Sequence, residues 1–173
     1  RDGVINEAID RGENFFVRGK KVRWTAPFRY SEFKLKDKIK EVLAGIRATG
    51  RLIILVTNQP DMAYGLLPPE DHKRMMRDVG ALGFDDIYVC PHGREDNCDC
   101  KKPKPGMLLA AAEKWNIDLS NSVMVGDTES DTLAGSAAGC KTIILDRVYN
   151  QGVPADMRVA DLEGIINIIK KFN

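Results

Sequence analysis

Leu52-Ile53-Ile54-Leu55-Val56-Thr57-Asn58-Gln59 is the stretch that decides how this chain folds. Five consecutive apolar residues, several of them β-branched, suit a strand buried on both faces of a parallel sheet. The run turns polar abruptly at Thr57. Three further runs have the same character: Asp86-Ile87-Tyr88-Val89-Cys90, Ser122-Val123-Met124-Val125-Gly126 and Lys141-Thr142-Ile143-Ile144-Leu145. Between and around them lie helix-like segments over about 36–48, 69–82, 104–115 and 130–138, and an amphipathic helix over about 162–171 closes the pattern. Gly50, Gly83 and Gly139 stand where helix ends favour glycine. Strands alternating with helices predict an α/β fold with a Rossmann-like parallel sheet and helices on both faces.

In such sheets ligands bind beyond the carboxyl ends of the strands. The polar strings of this chain follow its apolar runs: Thr57-Asn58-Gln59, Lys101-Lys102-Pro103, and Asp127-Thr128-Glu129-Ser130-Asp131. They are therefore expected to converge on one crevice.

The 173 residues suit a single domain with a small decoration, long enough to bury a substantial core. Hydrophobic content of 43% and charged content of 29% exclude a disordered chain. A net charge of +1 offers no broad field for nucleic acid or an anionic membrane surface. No apolar run approaches the roughly 20 residues of a membrane-spanning helix. No secretory leader is legible in the residues given. The expectation is a cytoplasmic monomer acting on a small molecule, with no membrane and no nucleic-acid partner.

Cys90, Cys98 and Cys100 fall within eleven residues and share that stretch with His92. Three thiols and an imidazole at this density favour Zn²⁺ in a closed tetrahedron over a disulfide framework. A closed site of this kind is structural and would place Lys101 and Lys102 directly after its last ligand. Cys140 lies apart in apolar sequence and reads as a core thiol.

With these motifs in order, the chain resembles the haloacid dehalogenase (HAD) superfamily of aspartate-nucleophile phosphatases. Arg1-Asp2-Gly3-Val4-Ile5-Asn6 looks like the second half of that family's Asp-Arg-Asp-Gly-Val loop, and the likeness runs to about residue 146. The resemblance implies a nucleophilic aspartate immediately before Arg1, at the end of a central apolar strand. It implies that Asp2 is the general acid and base, with its main-chain oxygen on Mg²⁺. Thr57 would bind phosphate oxygens. Lys102 would hold phosphate and nucleophile together. Asp127 would be the carboxylate ligand of Mg²⁺. Asp131 would cap its helix or support the metal or Lys102 from behind. Asn58, Gln59 and Lys101 are expected to face the substrate.

No insertion of domain size interrupts the chain, so the resemblance is to the capless subfamily IIIA. The Cys-x-His…Cys-x-Cys loop and Lys102-Pro103-Lys104-Pro105-Gly106-Met107 look most like the D-glycero-D-manno-heptose 1,7-bisphosphate phosphatases, which serve cell-surface glycan (lipopolysaccharide) biosynthesis. Histidinol-phosphate phosphatases share the zinc loop and are the alternative.

Three departures set this chain apart. Pro60-Asp61-Met62-Ala63-Tyr64 stands where that family has Ser-Gly and then an Arg, Lys101 replaces an Arg, and Thr128 replaces a Lys. Exchanging Arg for Lys keeps charge but loses a bidentate fork. The stretch 7–33 is also long, with Arg11, Arg18, Lys20, Lys21, Arg23 and Arg29 among Phe15, Phe16, Trp24, Phe28 and Tyr30. It is expected to form a β-hairpin over the site, turning at Arg18-Gly19-Lys20, with Arg23 and Arg29 contacting substrate. A different class of function, a catalytically dead relative that only binds, is separated from the enzyme by the residue before Arg1.

Overall fold

The computed structural model describes residues 1–172. After the Arg1–Asn6 loop comes a nested hairpin. Its outer ladder pairs β1 (Ile9–Asp10) with β4 (Trp24–Thr25), and its inner ladder pairs β2 (Phe16–Val17) with β3 (Lys20–Lys21), both antiparallel. Arg18 (φ 50°) and Gly19 (φ 76°) make the turn between the inner strands. Two central residues of positive φ are the turn geometry that matches strand twist. The hairpin expected over 7–33 is therefore present.

The α/β body follows as α1 (Ile39–Arg47), β5 (Ile54–Asn58), α2 (Pro69–Gly80), β6 (Asp86–Cys90), α3 (Gly106–Trp115), β7 (Val123–Gly126), α4 (Glu129–Ala137), β8 (Lys141–Leu145), β9 (Met157–Val159) and α5 (Leu162–Ile169). Strand β5 starts two residues later than its apolar run, because its parallel partner β6 begins at Asp86 opposite Ile54. Leu52 is left 47% exposed as a result. Strand β9 is not legible in the sequence. Three residues, Met-Arg-Val, are too few for a period, and they pair in parallel with Ile143–Leu145.

Alternation along the strands divides the core into two faces. Leu55, Ile143 and Leu145 pack with Val42 and Leu43 of α1 and Ile165 and Ile169 of α5. Val56 and Met124 point the other way, into a cluster with Met107 of α3 and Cys140. Helix α4 lies so close on this second face that a Cβ at Gly135 would sit 2.6 Å from Met124 Cβ. Cys140 is a buried core thiol, as its apolar context implied. Each fully buried Ile or Leu contributes roughly 1.5–3 kcal/mol, so Ile143, Ile144 and Leu145, all at 0% exposure, anchor β8.

The parallel strands lie in two patches, β5–β6 and β7–β8–β9. Between the patches runs a cavity of about 620 Å³, walled by Leu55 and Val56 on one side and Val123 and Val125 on the other. Thr57, Lys102 and Asp127 also line it. Among the described residues, no helix is long and apolar enough to cross a membrane.

Candidate active site

Asp2 is the hub of the crevice. Arg1 donates to its Oδ1 from Nε at 3.0 Å and from Nη2 at 2.7 Å. Asn6 Nδ2 donates to the same oxygen at 3.1 Å. Gln59 Nε2 donates to Oδ2 at 2.8 Å and to Thr57 Oγ1 at 3.0 Å. Burial alone would raise the Asp2 carboxyl, but the Arg1 charge and these donors outweigh it and hold it below the usual carboxylate range. Asn6 Oδ1 and Gln59 Oε1, both buried beside Asp2, accept from no described protein group.

Gly3 carries the backbone past Asp127. A Cβ there would lie 1.8 Å from Asp127 Oδ2, and the residue sits at φ 80°, so only glycine fits. This approach sets the Asp2–Gly3 main chain against the Asp127 carboxylate. The Asp2 carbonyl accepts no hydrogen bond from any described residue. Burial, and then the nearby negative charge of Asp131, push Asp127 up to about 6. A buried carboxylate beside another, facing a free main-chain oxygen, is a donor set that a hard divalent cation relieves.

Lys102 is buried. Its Nζ lies 2.6 Å from Asp131 Oδ1 and donates to Val56 O at 3.0 Å. Asp131 uses its other oxygen, Oδ2, as an acceptor for Thr128 N at 3.0 Å, Thr128 Oγ1 at 2.7 Å and Asp127 N at 3.2 Å. One carboxylate thus caps α4, shapes the backbone at Asp127 and pairs with Lys102. A Cβ at Gly126 would fall 2.1 Å from Asp131 Cβ, so the glycine allows α4 to approach the strand end.

Asn58 and Gln59 each hold a neighbouring group of the crevice. Asn58 Nδ2 donates to Lys102 O and Asn58 Oδ1 accepts from Lys102 N, both at 3.1 Å. Asn58 thus clamps the lysine's main chain, as Gln59 clamps Asp2. Lys101 donates to His92 O at 2.7 Å, which leaves its charge unpaired. Arg23 is spent on Asp10 and Glu13 of its own hairpin. Arg29 donates to the carbonyls of Phe28 and Leu66, each at 2.7 Å. Neither arginine makes a hydrogen bond or ion pair with Asp2, Thr57, Lys102 or Asp127. Arg23 finds its acceptors within the hairpin, whereas Arg29 reaches across to the Leu66 carbonyl ahead of α2.

Cys90 Sγ, His92 Nδ1, Cys98 Sγ and Cys100 Sγ all lie within 4.8 Å of one another. Adjacent pairs stand at 3.6 Å (Cys90–Cys98), 3.5 Å (Cys98–Cys100) and 3.2 Å (His92–Cys100). Thiolates bound at about 2.3 Å to one tetrahedral ion would stand about 3.8 Å apart, so the four donors fit a single metal ion. Burial and then the neighbouring Cys90 and Cys98 push the Cys100 thiol up to about 12. Three thiols this close need a cation among them to ionise together. The loop leads straight into Lys101 and Lys102. It is braced by Tyr64, whose hydroxyl accepts from Arg94 N at 2.9 Å, and by the hairpin turn, where Arg18 meets Glu95 at 3.0 Å.

Three residues of the site escaped sequence reasoning. Asp61, flagged only as a departure from a pattern, is a largely buried carboxyl near Asp2 and is pushed up to about 6 by burial and by the Asp2 charge. Tyr149 donates its hydroxyl to Asp127 Oδ2 at 2.5 Å. Asn150 Nδ2 donates to Asp127 O at 2.8 Å and Leu145 O at 2.9 Å, tying the ends of β7 and β8 together. The only available signal was position: Asp61 lies just past the end of β5, and Tyr149 and Asn150 just past the end of β8, at the ligand-binding edge of the sheet.

A HAD-hydrolase-like family model matches residues 99–149. The D-glycero-beta-D-manno-heptose-1,7-bisphosphate 7-phosphatase of Vibrio cholerae is 38% identical over 160 residues, which cover 85% of this chain and 78% of that protein. The D-glycero-alpha-D-manno-heptose-1,7-bisphosphate 7-phosphatase of Campylobacter jejuni is 32% identical over 177 residues, covering 99% of this chain and 93% of its own. Among solved structures, the D,D-heptose 1.7-bisphosphate phosphatase from B. bronchiseptica, complexed with magnesium and phosphate, matches with a TM-score of 0.79 and 25% identity, covering 100% of this chain and 96% of its own.

Proposed function

This chain belongs to the heptose-1,7-bisphosphate 7-phosphatase family of HAD-like hydrolases, and on that premise we propose that it removes the 7-phosphate of a D-glycero-D-manno-heptose 1,7-bisphosphate. The single observation that carries the reading is the cluster of Asp2, Thr57, Lys102 and Asp127 on one crevice at the strand ends.

The nucleophile in this proposal is an aspartate preceding Arg1, at the end of a strand that fills the cavity between β5 and β7. The facing edges of those strands carry main-chain groups that such a strand would pair, and the walls are apolar. Attack by its carboxylate on phosphorus forms an acyl-phosphate bond while the bond to the leaving sugar oxygen breaks. Asp2 delivers a proton to that oxygen. It takes the proton back from the water that then attacks the aspartyl-phosphate, releasing inorganic phosphate and restoring the carboxylate. Asp2 is held ionised by Arg1 before substrate arrives, and the negative charge of the incoming phosphate raises it toward the range in which it carries a proton. Thr57 offers a hydroxyl and Lys102 a cation to the phosphoryl oxygens.

Asp127 and the Asp2 main-chain oxygen would hold Mg²⁺, which when bound neutralises phosphate charge. Zn²⁺ would occupy the Cys90, His92, Cys98 and Cys100 donors and stiffen the loop behind Lys102. Lys101, unpaired at the rim, is the cation for the second phosphate of the substrate. Thiols held for a metal in this way suit a reducing, cytoplasmic setting.

Phosphate release tests the reading, with Mg²⁺ and with Mg²⁺ chelated. The substrates are both anomers of heptose 1,7-bisphosphate, histidinol phosphate and an aryl phosphate. Mg²⁺-dependent turnover of a heptose anomer above the others is the expected result. Preference for histidinol phosphate, or turnover of none, would overturn it.

A further inference from the structure

The Asp127 carboxylate is held by more than its own strand. Its main-chain N–H goes to Asp131 and its carbonyl to Asn150. Oδ2 accepts the Tyr149 hydroxyl at 2.5 Å, while Oδ1 accepts no hydrogen bond from any described residue. One oxygen is therefore committed to a protein donor and the other is free to bind a cation.

Tyr149 is itself fixed. Its turn is closed by Asn150 Oδ1, which accepts from Arg147 N at 3.0 Å, and Arg147 Nη2 donates to Gly3 O at 3.2 Å. The turn is thus tied to the same Asp2–Gly3 backbone that faces Asp127. On its outer side Tyr149 packs against Trp24 of β4, with ring centroids 5.3 Å apart and planes at 43°. The far end of that hairpin meets the Cys/His loop through Arg18 and Glu95.

We propose that Tyr149 is a positioning residue for the divalent metal held by Asp127, and that Trp24 couples the 9–25 hairpin to that metal through the Tyr149 ring. The inference rests on the reading of Asp127 as a Mg²⁺ ligand. Hydrogen bonds to a ligating carboxylate fix its rotamer and set metal affinity. A phenol that must keep its place on Oδ2 as Oδ1 takes the ion transmits any shift of the carboxylate to the indole packed against it. Cation binding and the pose of the hairpin over the crevice are then one linked equilibrium.

The experiment is Mg²⁺ titration of the full chain in the absence of substrate, followed by calorimetry and by tryptophan emission. A Trp115→Phe background leaves Trp24 as the only tryptophan of the two in the chain. The expected result is a saturable change in Trp24 emission. Tyr149→Phe, which keeps the ring and removes the donor, should weaken Mg²⁺ binding on the order of 10- to 100-fold. Trp24→Phe, followed by calorimetry, should weaken Mg²⁺ binding by less than Tyr149→Phe does. Unchanged Mg²⁺ affinity in a folded Tyr149→Phe protein would overturn the positioning role. If Tyr149→Phe does not fold, unchanged affinity in Trp24→Phe together with a silent Trp24 in the parent would overturn the coupling. Mg²⁺ binding that survives Asp127→Asn would remove the metal reading itself, a failure visible separately from that of Tyr149.

Discussion

Lys102 Nζ and Asp131 Oδ1 form a buried ion pair at 2.6 Å, with side chains only 7% and 9% exposed. This pair fixes Lys102 to helix α4, directly behind the Asp127 carboxylate. Removing one member leaves the other charged and unpaired in the core, which costs about 3–5 kcal/mol. Lys102→Met and Asp131→Leu are each expected to destabilise by that order, and the double variant by less than their sum. Urea unfolding of the four proteins measures the coupling. Burial alone would raise Asp131, but the charge and hydrogen bond of Lys102 bring it to about 2 from its ordinary 3.8. A depressed carboxylate contributes stability that is present above pH 3.8 and lost as pH falls toward 2. Asp131→Asn should flatten the unfolding profile in that acid window.

Asp61 has the opposite sign. Burial, and then Asp2, raise it from 3.8 to about 6. The folded state then binds its proton more tightly than the unfolded chain, so its contribution to stability falls as pH rises from about 4 to about 6. Asp61→Asn should stabilise the protein at pH 8, on the order of 1–3 kcal/mol, and change it little at pH 4. Thermal melts of both proteins across that range decide it; equal shifts at both ends would contradict the assignment.

Asn58 holds Lys102 by both main-chain groups. Asn58→Asp keeps the acceptor for Lys102 N but loses the donor to Lys102 O, and Asn58→Ala loses both. Misplacing a catalytic group by about 1 Å costs on the order of 10²-fold. We expect kcat to fall by that order in Asn58→Ala with KM little changed. A pure rise in KM would instead place Asn58 on the substrate.

Stripping metal from the Cys90–Cys100 loop should act at a distance. The loop packs on the core only through its thiols, with Cys98 and Cys100 against the cluster that buries Cys90, and it runs directly into Lys102. Cys98→Ser, or treatment with a strong chelator, should lower the melting temperature and abolish phosphate release. Added Mg²⁺ should not restore it, whereas Zn²⁺ should restore the chelated wild type. Metal analysis of the purified protein should find about one Zn²⁺ per chain. Full activity of zinc-free protein would refute the link between this loop and Lys102.

Gly3 tests the backbone approach to Asp127. Gly3→Ala places a methyl 1.8 Å from Asp127 Oδ2 at a φ of 80°. Activity should be lost while β5 through β9 stay folded, because the clash is confined to the loop. Circular dichroism with phosphate release separates the two effects.

Much of this protein was legible in the order of its residues. Apolar runs such as Leu52–Val56 and Ile143–Leu145 determine strands because side chains buried on two faces must be apolar or, like Thr142 with Asp156, find a hydrogen-bond partner. The polar residues that break them mark the ligand edge. The density of Cys90, His92, Cys98 and Cys100 determines a metal loop because few other uses tolerate three thiols so close. What only tertiary structure decided were the partners. Nothing in the spacing of Asn58 and Gln59 says that the first amide clamps Lys102 and that the second donates to Asp2, across 44 and 57 residues of chain. Arg23 and Arg29 look like free cations, yet Asp10 and Glu13 take the first, and the Phe28 and Leu66 carbonyls take the second. Tyr149 and Asn150 carry no motif at all, and reach Asp127 because a parallel sheet brings the ends of β7 and β8 side by side. Burial pattern is a local property and survives in one dimension, whereas the choice of partner for a polar group is a long-range packing outcome that spacing along the chain does not encode.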